Sequence, residues 1–161
     1  MNIILKAFDD YMSKHLVESC IEGLSLETCI SIGDAPDQLP DLDEGVEHIT
    51  LSAQALRAGQ YPDVQWSDLK PLDEELIESM QHCEAVFLKM VGRYAIYRDM
   101  PYHERKRQYR RHLRYWNHML EEKQIDLVLM KTIPHQCYDF VLWYLCKLKG
   151  IPTLYMSLFF A

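Results

Sequence analysis

A chain of 161 residues, 48% of them hydrophobic and 25% charged, has the size of one domain and enough apolar material to bury a core without staples, which excludes the disordered and fibrous classes. Five cysteines, an odd number without a CxxC pair, point away from a disulfide framework or zinc ribbon and toward a reducing compartment. The net charge of −7 is unevenly spread, with 16 acidic and 4 basic side chains in residues 1–75 against 8 and 13 in residues 76–161; an acidic half lacks the basic footprint that phosphates demand, so no nucleic-acid partner is expected.

The chain opens on the apolar run Ile-Ile-Leu-Lys-Ala-Phe at residues 3–8, which predicts a strand. A helix follows with Leu16, Val17, Cys20, Ile21 and Leu24 on its apolar side, and Gly23 near its end. Thr28 to Ile32 reads as a second strand closed by Gly33-Asp34, so a β-α-β unit begins the fold. Residues 34–71 contain Pro36, Pro40, Pro62 and Pro71 with one modest strand, Val46 to Leu51, and no site residue is assigned there.

From Asp73-Glu74-Glu75 onward, Leu76, Met80, Cys83, Phe87, Met90 and Tyr94 recur with the spacing of one helical face. A second helix starts after Pro101 with Tyr109, Leu113, Trp116 and Leu120 inward and ends near Lys123. Ile125 to Met130 predicts a strand, Gln136 to Lys149 a helix with Val141, Leu145 and Leu148 inward and Gly150 as its stop, and Ile151 to Met156 a further strand. Strands alternating with helices across short links predict an α/β, Rossmann-like three-layer sandwich with a mainly parallel sheet over residues 1–161. The apolar tail Ser157-Leu-Phe-Phe-Ala161 reads as a cut at a domain boundary, making this the amino-terminal part of a longer two-domain protein; the alternative is a buried or dimer-forming terminal strand.

No apolar run reaches the roughly 20 residues of a membrane helix, and the opening turns acidic too soon for a signal peptide, so a cytoplasmic location is expected. The oligomeric state is not legible. GxGxxG, GxxxxGK[ST] and GxSxG are all absent, which removes the usual dinucleotide, P-loop and hydrolase signatures.

Ligands of open parallel sheets bind beyond the carboxyl ends of the strands, where strand order reverses. That rule selects Asp9-Asp10, Gly33-Asp34, Lys131 to His135, and Ser157 onward. In Lys131-Thr132-Ile133-Pro134-His135, Pro134 ends the strand ladder, so His135 emerges just before a helix whose free N–H groups suit a phosphate or carboxylate. Imidazole changes charge near neutral pH and can act as acid, base or donor there; the alternative is that His135 only caps the helix or packs on its rim. Asp139, four residues on and expected on the same helix face, orients His135 or caps the helix start. His135 and Asp139 are thus the catalytic candidates, and Lys131, Thr132, Asp9 and Asp10 the substrate-binding ones. No third ligand stands at metal-site spacing, so neither metal nor cofactor is expected. The run Glu104 to Arg114 places Arg107, Arg110, Arg111 and Arg114 on one side of a helix, fit for phosphates, an acidic partner or an anionic membrane surface, or else a solvated face paired with the acidic half of the chain.

The stretches Tyr102 to Asn117, Ile125 to Phe140 and Lys149-Gly-Ile-Pro-Thr-Leu154, clearest at Pro134-His135, resemble bacterial capsule and surface polysaccharide biosynthesis proteins, which are similar to two-domain GT-B glycosyltransferases. The likeness spans roughly residues 60–157. It implies that this chain is the acceptor-side domain, contacting a glycan or lipid-linked sugar acceptor, while a nucleotide sugar is held by a second domain that this sequence lacks. It also implies that His135 and Asp139 lie at the acceptor or serve as general base, that Arg105, Arg110 and Arg111 contact phosphate or the inner face of the plasma membrane, and that catalysis requires the intact protein. The other reading is a self-contained α/β ligand-binding or regulatory module without catalytic activity.

Overall fold

A computed structural model describes residues 1–61 and 64–156; the expectations placed on residues 157–161 lie outside them. The strands are β1 (Asn2–Lys6), β2 (Thr28–Gly33), β3 (Glu47–Ser52), β4 (Leu127–Met130) and β5 (Thr153–Tyr155). The helices are α1 (Tyr11–Ile21), α2 (Ala53–Arg57), α3 (Glu74–Ser79), α4 (Gln81–Val91), α5 (Ala95–Arg98), α6 (Tyr102–Glu122) and α7 (Cys137–Lys149). All strand pairings are parallel and the order is β3-β2-β1-β4-β5, so the direction of strand addition reverses between β1 and β4. The fold is a Rossmann-like three-layer α/β sandwich.

Side-chain alternation divides the core into two layers. Ile3 and Leu5 of β1, Cys29 of β2 and Leu129 of β4 pack against Val17 and Ile21 of α1. Ile4, Ile30, Ile32, Val128 and Met130 point to the other face, covered by α2 and α4 to α7 with Trp116, Tyr138, Phe87 and Leu145. Lys6, two residues after Ile4, therefore projects toward the α7 side.

Three helix readings are corrected in detail. The helix foreseen from Leu76 to Tyr94 is two, α3 and α4, meeting at Met80, whose φ of −97° and ψ of 6° depart from helical values; its carbonyl accepts the Glu84 N–H at 3.0 Å and the Tyr109 hydroxyl at 2.9 Å. In α4, Val91 rather than Met90 occupies the core, and Tyr94 lies beyond the helix end. On α7 Val141 and Leu145 are buried together with Leu142 and Cys146 while Leu148 is exposed; on α1 Cys20 is exposed, and Leu24, also exposed, lies beyond the helix end at Ile21. Gly150 ends α7 in the left-handed region at φ 71°, where a Cβ is disfavoured.

His112, fully buried on α6, shares a 2.5 Å hydrogen bond through Nδ1 with the Tyr61 hydroxyl and has no partner at Nε2 among the described residues. Burial, reinforced by the adjacent Arg111 charge, pushes the imidazole down to about 3. The unfolded chain protonates His112 near pH 6.5 and the native chain does not, so native stability is full above that pH and falls on acidification toward pH 3, by at most about 1.4 kcal/mol per pH unit. In urea denaturation at pH 6.5 and 4.5, His112→Gln is expected to lose about 2 kcal/mol less between the two than the parent chain; equal losses would remove His112 as a cause.

Candidate functional site at the reversal of the sheet

The loops leaving β1 and β4 flank the reversal point, and a buried ion pair fixes their spacing. Lys6 Nζ lies 3.0 Å from Asp139 Oδ2 and donates to Thr132 Oγ1 at 2.7 Å, with Lys6 1% and Asp139 0% exposed. Asp139 Oδ1 accepts the Gln136 backbone N–H at 2.7 Å and Oδ2 that of His135 at 3.4 Å. Burial raises the Asp139 carboxyl above its ordinary range, and Lys6 with the Gln136 N–H pulls it back.

Above this floor, Lys131 bonds to Asp10 across the gap between the two loops. Asp10 also caps α1 by accepting from Ser13 N at 3.1 Å and Ser13 Oγ at 2.8 Å. The Lys131 bond, more than any other influence, holds the Asp10 carboxyl down at about 2. Asp9 Oδ2 accepts from Asp34 N at 2.7 Å, and Asp34 in turn holds Ser52, Gln54 N and Arg57, the last at 2.9 Å. A Cβ on Gly33 would stand 2.7 Å from that of Asp9, which is why a glycine closes β2 here.

His135 is exposed and precedes α7, whose N-cap is Gln136, so it does not share a helix face with Asp139. The expected His135–Asp139 couple is a backbone contact, not a side-chain pair. The His135 carbonyl is held by Arg93 at 3.3 Å and the Tyr94 hydroxyl at 3.2 Å, and its Nδ1 sits 2.7 Å from the Ile133 carbonyl. A carbonyl accepts only, so Nδ1 carries the proton and Nε2 presents its lone pair.

An anion at the start of α7 would stand beside the Asp139 carboxylate, which accepts the Gln136 and His135 N–H groups, and one at α1 beside Asp10, which accepts the Ser13 N–H. Lys131, Thr132, Asp9 and Asp10 do converge at the reversal point, but chiefly as ties within the protein. Lys6 was not singled out from sequence; its signal is a lysine inside an apolar strand whose two faces are both covered.

No family model, curated protein or solved structure matches the chain. Among the described residues no helix is long and apolar enough to cross a membrane.

The arginine candidates separate. Arg105 donates to the Met100 and Arg98 carbonyls at 2.9 and 3.0 Å and closes the end of α5, whereas Arg110 and Arg111 line a cleft on the flank of α6.

Removing one partner of a buried pair strands the other charge, and Lys6→Met is expected to lower unfolding free energy by about 3–5 kcal/mol. Adding Asp139→Asn, which keeps an acceptor for the Gln136 N–H, should restore more than half of it. Urea denaturation of the two single variants and the double decides; additive losses would show that the two side chains are not coupled.

Proposed function

We propose that the chain is the acceptor-side domain of a glycosyltransferase in bacterial surface, capsular polysaccharide synthesis, with His135 as the general base. The observation that carries this reading is His135 itself: exposed, anchored through its carbonyl by Arg93 and Tyr94, and tautomer-set by the Ile133 carbonyl so that Nε2 is the free acceptor. The rim it shares is rich in carboxylates, Asp9, Asp10 and Asp34, whose remaining lone pairs suit the hydroxyls of a polyol better than an anion. The resemblance around Pro134-His135 supplies the reaction class.

In a direct displacement, the acceptor hydroxyl attacks the anomeric carbon, the bond to the donor's leaving phosphate breaks, and the hydroxyl proton passes to Nε2. Asp139 acts as a positioning residue, fixing the start of α7 and the His135 backbone through its acceptor bonds. The nucleotide sugar is held by the second domain that the resemblance implies.

In the full-length protein, His135→Ala is expected to lower sugar transfer about 10²–10⁴-fold, the range of general base catalysis, with little change in thermal midpoint because the anchoring bonds are to the backbone. Unchanged transfer would remove His135 from the mechanism. NMR titration of the chain with short glycans should shift residues 131–139, and tight nucleotide binding at those residues instead would favour a self-contained binding module.

A further inference from the structure

The outer flank of α6 and the segment leading into and through α3 border an open cleft of about 650 Å³, within the size range of small-molecule sites. Trp66, Leu72 and Ile77 contribute apolar wall, and Lys106, Arg107, Arg110, Arg111 and Arg114 contribute cations from successive turns of the helix. Among the described residues, no carboxylate of the acidic half pairs with these cations. Lys106 pairs with Glu84 at 2.8 Å and Arg107 with Glu104 at 3.5 Å, both acids of the basic half, while Arg114 is bound to the Leu69 and Lys70 carbonyls and to no described carboxylate. Arg110 and Arg111 have no carboxylate partner among the described residues.

Arg111 is the better defined of the two. Its guanidinium lies 4.6 Å from the centre of the Trp66 ring, and its Nε is buried without a hydrogen-bond partner. A guanidinium stacked on an indole keeps its in-plane donors free for a tetrahedral oxyanion, and a buried donor without an acceptor marks a place where one belongs.

We infer that this cleft binds a phosphate group carried on an apolar or aromatic body, the phosphate between Arg110 and Arg111 and the body against Trp66, Leu72 and Ile77. The concave shape and apolar wall distinguish such a ligand from free phosphate, which would use the cations alone. A long polyanion is disfavoured by the net charge of −7. The inference does not depend on sugar transfer, since the site is on the flank of α6 and not among the strand-exit loops.

The test uses the whole chain, with Trp66 indole NMR shifts and calorimetry as readouts and with inorganic phosphate, 1-naphthyl phosphate, octyl phosphate, and vesicles of phosphatidylcholine with or without phosphatidylglycerol as probes. The expected result is that the two organic phosphates bind at least tenfold more tightly than inorganic phosphate and shift Trp66. Arg110→Gln with Arg111→Gln should weaken this at least tenfold while the chain keeps its far-UV circular dichroism and a single cooperative unfolding transition, and Arg111→Lys, which keeps the charge but loses the fork, several-fold. Arg110- and Arg111-dependent retention on phosphatidylglycerol vesicles without binding of the soluble esters would support the same chemistry with a lipid headgroup as its source. Equal binding of all phosphates, or binding indifferent to the double variant, would overturn the inference.

Discussion

The buried Lys6–Asp139 pair is the constraint on which the rest of the molecule is arranged. Taking two charges out of water costs several kcal/mol per ion, repaid only if geometry is close and the remaining donors and acceptors are filled. Here Asp139 receives Lys6 and two backbone N–H groups, and Lys6 also reaches Thr132, 126 residues on, so the end of β1 is tied to two consecutive pieces of distant sequence, the loop after β4 and the first turn of α7. Register follows from the same pair. Strand side chains alternate between faces, so a slip of one residue in β1 would turn Lys6 toward α1 and bury its ammonium away from any carboxylate, while leaving Asp139 stranded.

Satisfying that pair also decides what the reversal point can do. In many parallel sheets this edge receives an anion because helix N–H groups are free. Here a carboxylate of the chain itself stands at the start of each helix, Asp10 on the Ser13 N–H of α1 and Asp139 on the Gln136 N–H of α7, and the lysines at the edge, Lys6 and Lys131, are each committed to one. These negative charges tilt the edge away from anions and toward acceptor chemistry, carboxylate oxygens and an imidazole nitrogen. Cationic chemistry is displaced to the flank of α6, so the charge asymmetry visible along the sequence becomes a separation in space between an acidic rim and a basic cleft.

The parts of this arrangement that were legible in the sequence are those governed by local periodicity. The stripe Tyr109, Leu113, Trp116, Leu120 marks α6, and the short links around β4, α7 and β5 define the parallel crossover, because each signal lies within one element. Positions such as Leu148 and Cys20 were misplaced because a helix that touches the sheet along a narrow stripe leaves apolar residues at its margin exposed, and periodicity alone does not give the stripe's width. The break at Met80 leaves no mark in the apolar spacing, which runs on from α3 into α4. The position of His135 just ahead of α7 was legible from the proline before it, whereas the ties of Lys6 and Arg105 were not, since both are set by partners that only the folded chain brings within reach. The short helix α2 and a 3-10 turn at Pro36–Gln38 escaped because elements of one or two turns carry too few residues for a period to show.

The cleft on α6 and the core beneath it are one continuous packed set. Trp66, under Arg111, meets the Tyr61 ring edge-on at a centroid distance of 5.7 Å, and Tyr61 bonds to the buried His112 one residue beyond Arg111 on the same helix. The Arg111 charge is itself among the reasons His112 stays neutral. Any ligand that anchors Trp66 and draws on the Arg111 charge therefore acts on side chains that also hold α6 in place. Because a ligand that binds only the native state stabilises it in proportion to the logarithm of its concentration, occupancy of the cleft is coupled by contact to the stability of the layer that covers the sheet.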